Sequence, residues 1–190
     1  MTKKPTLSVT LATYNEEAVI EKCLKAVKDI AKEIILVDGT STDKTALIAK
    51  ELGAKVIKTT NKPNFHINKA MANKKATGDW VLQLDADEFV TPELKKEIKL
   101  LLNGQYFGFD SWQSPIRAKI NRFLPLFRSP KPLFEPASAY YLPRKNFFLN
   151  RYLKHTGQYP DPVIRLFQRN KAYLPAKDVH EQMVVKGTIG

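Results

Sequence analysis

The feature that most constrains this chain is the regular alternation of strand-like and helix-like segments over its first hundred residues. Short apolar runs indicate strands at 7–12, 33–37, 55–58 and 80–84, and apolar residues spaced three and four apart indicate helices between them. This alternation predicts an α/β fold, with a mostly parallel sheet flanked by helices and right-handed crossovers. The predicted helices have the faces Ile20-Cys23-Leu24-Val27-Ala31, Thr45-Ile48-Ala49-Leu52 and Leu94-Ile98-Leu101, and a further helix covers 67–75.

Residues with capping preferences mark where these helices begin and end. Asn15 is a candidate N-cap of the first helix, with two glutamates in its first turn, and Ser41 or Thr42 is a candidate cap of the second. Gly53 is placed to end the second helix at its C′ position. The pair Thr91-Pro92 predicts the start of the last helix, which Asn103-Gly104 ends.

The apolar run that begins at Trp80 stops in a cluster of carboxylates, Asp85-Ala86-Asp87-Glu88. Residues two apart in an extended chain face the same side, so Asp85 and Asp87 converge on one point. Two hard oxygen ligands suit Mg²⁺ or Mn²⁺, which binds between one or two carboxylates and the phosphates of a substrate. The alternative is that residues 85–88 form only a solvated turn leading into a helix.

Polar residues follow three predicted strands. Tyr14, Asp38 and Asp85 each come directly after a strand, and the carboxyl ends of parallel strands meet at one edge of a sheet. Polar clusters at successive strand ends are typical of a nucleotide-binding crevice.

The composition is that of a single soluble globular domain, with 43% hydrophobic and 26% charged residues in 190. The one cysteine, Cys23, excludes an internal disulfide framework and fits a reducing compartment. We expect no signal peptide, because the N-terminus lacks the apolar h-region of one. We expect no membrane span, because no apolar run approaches the length of about 18 residues that a span needs.

The net charge of +12 comes mostly from one region. Between Trp112 and Lys171, twelve lysines and arginines stand against two acidic residues, Glu135 and Asp161, and they alternate with aromatic and aliphatic side chains. This mixture fits an anionic membrane surface. It also fits a core-facing stripe with solvated charges. Nucleic acid is the less favoured partner, since no zinc, RRM or KH signature accompanies the charge.

Several motifs in fixed order resemble those of family 2 glycosyltransferases with the glycosyltransferase-A fold. The resemblance covers nearly the whole chain, and the C-terminal motifs are similar to those of the branch that contains lipopolysaccharide-core β-glucosyltransferases. It implies a nucleotide-sugar-binding half over 1–104 and an acceptor-binding and catalytic half over 105–190 of the same domain. The motifs are 8–17, 38–45, Gly78-Asp79-Trp80, 85–88, Tyr159-Pro160-Asp161, Arg165-Leu166-Phe167 and Val179-His180-Glu181.

The resemblance also implies roles for individual residues. The family usually has lysine where Ile67 stands and glycine where Lys44 stands. The sequence ends soon after Glu181, so a C-terminal acceptor or membrane segment found in relatives is expected to be absent. The implied donor-binding residues are Thr13, Tyr14 and Glu16 around the nucleoside, Asp38 on the base, Asn68 near the donor, Asp85 at the ribose or metal, and Asp87 as the direct metal ligand.

Sugar transfer places negative charge on the leaving phosphate, which a metal at Asp87, together with Arg165 or Arg169, would stabilise. Inversion needs a base for the acceptor hydroxyl, and Asp161 is the first candidate. The alternative is that Asp161 only pairs with Arg165, four residues on. In a second arrangement Glu181 is the base and His180 completes the metal shell, although a lone histidine is often structural.

Together these observations predict an inverting, Mg²⁺- or Mn²⁺-dependent glycosyltransferase. The expected donor is a nucleotide sugar, most readily a UDP-sugar, and the expected acceptor is a lipid-linked or cell-envelope saccharide at the cytoplasmic face of the membrane. A nucleotidyltransferase is an alternative, but the sequence has no glycine-rich phosphate loop for it. A basic nucleic-acid-binding module is the non-enzymatic alternative.

Overall fold

The computed structural model describes residues 4–104, 137–145, 147–148, 151–152, 161–175 and 182–190. Four helices and ten strands lie in these parts of the chain. In order they are β1 (Leu7–Thr13), α1 (Ile20–Val27), β2 (Glu33–Asp38), α2 (Thr45–Glu51), β3 (Lys55–Lys58), α3 (Phe65–Lys75), β4 (Trp80–Leu84), α4 (Pro92–Leu102), β5 (Ala139–Arg144), β6 (Phe147–Phe148), β7 (Arg151–Tyr152), β8 (Asp161–Gln168), β9 (Ala172–Tyr173) and β10 (Val184–Val185).

A six-stranded sheet organises the fold, with strand order β3-β2-β1-β4-β8-β5. The first four strands are parallel, whereas β8 runs antiparallel to β4 and β5 antiparallel to β8. The predicted α/β class with a mostly parallel, helix-flanked sheet is therefore confirmed. The predicted membrane-binding character of the basic, aromatic-rich region falls largely on residues outside the described parts and stays a prediction.

Helices cover both faces of the sheet. On one face α1 buries Ile20, Cys23, Leu24 and Val27, as predicted, in a core shared with α2 and α4. On the other face α3 packs through Ala72 on alternate residues of the same strands. Burial of this apolar surface is the main favourable term in folding.

The structure confirms two of the predicted helix caps and contradicts two others. The N–H of Leu94 donates to the Thr91 hydroxyl at 3.3 Å, and Gly53 has a positive φ of 90° after α2, so both predicted caps are confirmed. The predicted caps Asn15 and Ser41 or Thr42 are wrong. Helix α1 begins only at Ile20, and neither α1 nor α2 has a side-chain hydrogen bond from its N-cap residue.

A buried polar bridge lies between α3 and the sheet. The Thr10 hydroxyl on β1 donates to Asn73 Oδ1 at 2.7 Å, and Asn73 Nδ2 donates to Gln83 Oε1 on β4 at 2.8 Å. One helix residue thus binds two neighbouring strands, and its amide satisfies two buried polar side chains that would otherwise be costly.

The amino ends of the strands are joined around Glu33. This carboxylate accepts hydrogen bonds from the Ser8 hydroxyl at 2.7 Å and from the Thr77 N–H at 2.8 Å, and it pairs with Lys55 at 2.8 Å. Gly78 fits tightly beside it, because a Cβ there would lie 2.7 Å from the backbone nitrogen of Ser8. This close approach explains the glycine before β4.

None of the helices in the described ranges is long and apolar enough to cross a membrane.

Candidate active site

The carboxyl ends of β1, β2 and β4 bring the predicted polar clusters to one edge of the sheet. Thr13 is paired with Asp38, and Leu11 with Leu84, so the residues that follow these strands leave the sheet side by side. Partial burial raises the pKa of Glu16, and the nearby carboxylates of Asp87, Asp43 and Asp85 raise it further. Glu16 from the first loop and the carboxylates after β4 therefore share one electrostatic environment, as the crevice prediction requires.

The loops after β1 and β2 are joined by hydrogen bonds, and the residues predicted as helix caps make several of them. Asn15 has a φ of 54°, and its Oδ1 accepts from the Thr42 N–H at 2.8 Å. The Lys44 N–H donates to Glu17 at 2.9 Å, and the Asn15 N–H donates to the Ser41 hydroxyl at 3.0 Å. These contacts fix the backbone on either side of Tyr14 and Glu16.

Asp85 is held between two cations. Arg165 donates to Asp85 Oδ2 at 2.6 Å, and Lys69 forms a salt bridge with Oδ1. Burial opposes ionisation of Asp85, but Arg165 and Lys69 outweigh it and lower the pKa of this carboxyl. No role for Lys69 follows from the sequence, because nothing near it in the chain marks its pairing with Asp85. The Asp85 carboxylate is therefore held in place by ion pairs at both of its oxygens.

Glu88 completes the turn after β4 and was also missed as a site residue. Its carboxylate accepts from Arg165 at 2.7 Å and from the Asp85 N–H at 3.0 Å. The Glu88 N–H donates to the Asp85 carbonyl at 3.0 Å, so residues 85–88 do form a turn. The alternative of a merely solvated turn is wrong, since two of its three carboxylates are partly buried in ion pairs with Arg165.

Asp87 is the open carboxylate of the turn. It is exposed and has no hydrogen bond or ion pair within the described parts of the chain. An exposed carboxylate that is not paired with a cation, and whose charge acts on that of Glu16, suits a hard divalent cation that takes its remaining ligands from phosphates and water. Across the described ranges no three histidine, cysteine or acidic side chains form a ready metal cage. The residues present fit Mg²⁺ or Mn²⁺ with Asp87 as ligand; both oxygens of Asp85 are already engaged by cations.

Four further predicted donor residues surround this edge. Tyr14 is 44% exposed, whereas Asp38 is fully buried and accepts from the Ser41 hydroxyl and N–H. Thr13 Oγ1 and Asn68 Oδ1 are buried and have no hydrogen-bond partner in the described structure. Buried polar atoms without a partner are uncommon and call for an explanation. The donor roles of these residues stay predictions.

Asp161 begins β8 and pairs with Arg144, whose Nη2 lies 2.5 Å from Asp161 Oδ2. The alternative pairing of Asp161 with Arg165 is wrong, because residues four apart in a strand are about 13 Å apart. Arg169 donates to the carbonyl of Gly78, before β4, so it lies at the opposite edge of the sheet from the carboxylates. His180 and Glu181 lie outside the described residues, and their roles stay predictions.

The fold and this acidic edge belong to a known class of protein. The family described as Glycosyl transferase family 2 matches residues 8–173 of this chain. The chain therefore belongs to glycosyl transferase family 2, and the predicted family is confirmed. The lipopolysaccharide-core branch, the donor, the metal and the membrane contact remain predictions.

Individual relatives agree with the family. An uncharacterized glycosyltransferase of Rickettsia bellii (strain RML369-C) is 43% identical over 107 residues, 55% of this chain and 35% of that protein. The SPbeta prophage-derived glycosyltransferase SunS of Bacillus subtilis (strain 168) is 35% identical over 116 residues, 58% of this chain and 27% of that protein. The matches thus span between about a quarter and a third of the length of these curated relatives.

A solved structure supports the fold. The crystal structure of S. aureus TarS 1-349 is similar with a TM-score of 0.52 and 22% identity, covering 90% of this chain and 51% of that chain. At this identity the likeness concerns the fold alone.

Proposed function

We propose that this chain binds a nucleotide sugar, most readily a UDP-sugar, and transfers the sugar with inversion in a reaction that needs Mg²⁺ or Mn²⁺. The observation that supports the proposal is the difference in environment between the carboxylates of Asp85 and Asp87. Asp85 is fixed by two cations, while Asp87, two residues on, is exposed, and its charge is near enough to raise the pKa of Glu16. The choice of UDP follows from the resemblance of the motifs to the family.

In this proposal Asp87 is the protein ligand of the metal. A divalent cation bound there would neutralise the charge that develops on the leaving diphosphate. Arg165 and Lys69 hold the Asp85 carboxylate in place, so the turn that presents Asp87 is preorganised before the donor arrives. The negative charges of Glu16 and Asp87 interact, and a divalent cation bound at this edge would relieve their repulsion.

The acceptor hydroxyl requires a base, and Asp161 is our candidate. Its carboxylate stands at the first residue of β8, the strand that also carries Arg165 to the Asp85 turn. The carboxylate is a third exposed, so an acceptor can reach it from solvent. Glu181, with His180 at the metal, is the competing assignment. We further propose a lipid-linked or cell-envelope saccharide as acceptor, reached by peripheral attachment to the cytoplasmic face of the membrane.

Calorimetric titration of UDP and GDP, with and without Mn²⁺, tests the donor site. We expect one nucleotide to bind only with Mn²⁺, and Asp87→Asn to weaken that binding about tenfold or more. Asp29→Asn is the matched control, since Asp29 pairs with Lys95 and Lys99 away from this edge and its loss should leave binding unchanged. Binding of neither nucleotide, or equal binding by Asp87→Asn, would contradict the proposal.

The membrane contact has its own test. Sedimentation with anionic vesicles at low salt is expected, with release at high salt because electrostatic attraction is screened. Equal failure to sediment with anionic and neutral vesicles at low salt would remove the membrane from the proposal.

A further inference from the structure

Six charged residues form one continuous series of ion pairs across the candidate site. Cations and carboxylates alternate along it, and it passes from α3 through the turn after β4 to β8 and β5. We name it the ion-pair chain, and its members in order are Lys69, Asp85, Arg165, Glu88, Arg144 and Asp161.

The two ends of the ion-pair chain differ in exposure. The Lys69 and Arg165 side chains are only 9% and 10% exposed, whereas those of Arg144 and Asp161 are 39% and 34% exposed. The metal-side end is therefore rigidly embedded, and the end that carries the candidate base faces solvent. Arg144 is the residue that connects the two.

Arg144 contacts one carboxylate with each of its two terminal nitrogens. Nη2 lies 2.5 Å from Asp161 Oδ2, and Nη1 lies 3.8 Å from Glu88 Oε1. Arg144 and Asp161 are also directly paired residues of β5 and β8, so the backbone sets the distance between them. Such opposite-charge neighbours across a strand pair hold one another in place.

We propose that Arg144 is a positioning residue for the transfer reaction, holding the Asp161 carboxylate in register with the turn that presents Asp87. The proposal rests on the proposed function, because it needs Asp161 to act as the base. A simple surface ion pair would need only Asp161; the second contact, to Glu88 of the metal-binding turn, is what ties the base to the donor side. Loss of the guanidinium leaves the donor site intact but lets the base turn away from the acceptor hydroxyl.

The test separates donor binding from turnover. The variants are Arg144→Met, Arg144→Lys, Asp161→Asn and the double variant Arg144→Met with Asp161→Asn. Lys145→Met is the matched control, because it removes one positive charge at the next, exposed position outside the ion-pair chain. Two quantities are measured for each: UDP binding with Mn²⁺ by calorimetry, and release of UDP from UDP-glucose, UDP-galactose or UDP-N-acetylglucosamine with water as acceptor.

We expect Arg144→Met to bind UDP as the wild type does and to keep its KM within about twofold, while kcat falls about a hundredfold, the cost of a misplaced catalytic group. Arg144→Lys keeps the positive charge but cannot contact both carboxylates as the two guanidinium nitrogens do, so it should recover only part of kcat. The double variant should be no slower than Asp161→Asn, because residues that act as one unit are not additive. Lys145→Met should match the wild type.

Other results would overturn the proposal. Additive losses in the double variant, or a Lys145→Met effect equal to that of Arg144→Met, would show that only surface charge matters. A wild type that binds UDP but releases none from any of the three sugars, or an Asp161→Asn variant with normal turnover, removes the base and this proposal with it while the donor site stands. A wild type that binds no UDP contradicts the proposed function itself.

Discussion

Arg165 donates a hydrogen bond of 2.6 Å to Asp85 and so joins strand β8 to the end of strand β4, 80 residues away in the chain. The same guanidinium nitrogen lies 2.7 Å from Glu88. Burial disfavours the charged form of Arg165, but Asp85 and Glu88 outweigh burial and raise its pKa. One buried cation thus holds two carboxylates of the turn that presents Asp87.

Arg165→Met is therefore expected to destabilise the fold by about 3 kcal/mol, because it removes the buried cation that Asp85 and Glu88 share and leaves them only Lys69 and, at 3.8 Å, Arg144. Urea unfolding followed by circular dichroism measures this loss. Lys25→Met is the control: Lys25 pairs with Glu21 on the exposed face of α1, and its loss should cost no more than about 0.5 kcal/mol. Equal midpoints for Arg165→Met and Lys25→Met would show that the buried pair contributes no stability.

Glu33 predicts a specific loss of stability in acid. Burial opposes its ionisation, but hydrogen bonds from Lys55, Thr77 and Ser8 lower its pKa from 4.5 to about 2. A group whose pKa is lower in the folded state stabilises the fold above its unfolded pKa. Its contribution should be complete above about pH 5 and should vanish as the pH falls from about 4.5 to about 2.

The measurement is the difference in unfolding free energy between wild type and Glu33→Gln from pH 2 to 6. The wild type should be the more stable protein at pH 6, and the two should converge towards pH 2. A difference that is constant across this range would mean that Glu33 contributes by packing and not by charge.

Gly78→Ala should destabilise the fold by about 1–3 kcal/mol, since the added Cβ meets the backbone of β1 and cannot be accommodated by moving a flexible side chain. Gly53→Ala is a useful comparison. A Cβ at Gly53 meets nothing within 4 Å, so only the strain of its φ of 90° remains, at about 1 kcal/mol. Thermal unfolding of both variants measures the order, and a larger loss for Gly53→Ala would contradict the close approach at Gly78.

Asn15→Ala should lower stability by about 1 kcal/mol, because it removes the acceptor for the Thr42 N–H. It should also weaken Mn²⁺-dependent UDP binding, because Asn15 lies between Tyr14 and Glu16 in the chain. Asn15→Asp keeps an acceptor oxygen and a residue type that tolerates the positive φ, so it should remain near the wild type. Chemical denaturation and calorimetric titration on the three proteins give both quantities. Equal losses in the two variants would show that the amide group itself, and not its acceptor oxygen, is needed.

The elements of the first hundred residues are predictable from sequence because their signals are local. Apolar runs place the four parallel strands to within one residue, and Thr91 and Gly53 act on helices that directly adjoin them. Asn15 carries the same cap signal but is used differently. Its amide finds a partner 27 residues away, on the loop after β2, before any helix starts.

The residues of the candidate site also fall into two groups, those that the sequence predicts and those that it does not. Strand order predicts that Tyr14, Asp38 and Asp85 lie at one edge of the sheet, the spacing within 85–88 adds Asp87, and through the resemblance of the motifs to the family Glu16 is found as well. Lys69 and Arg144 are not, because their importance lies in ion pairs with Asp85 and Asp161, which are 16 and 17 residues away and on other elements. Spacing along the chain does not reveal such partners.

The amide of Asn73 has a consequence for how α3 is held. A helix that packs only through apolar side chains can slide along a sheet by a turn and find similar contacts. Here such a shift would leave the Thr10 hydroxyl and the Gln83 amide without their hydrogen-bond partner, Asn73. Asn73 therefore sets the longitudinal register of α3, and that register delivers Lys69, one turn upstream, to Asp85.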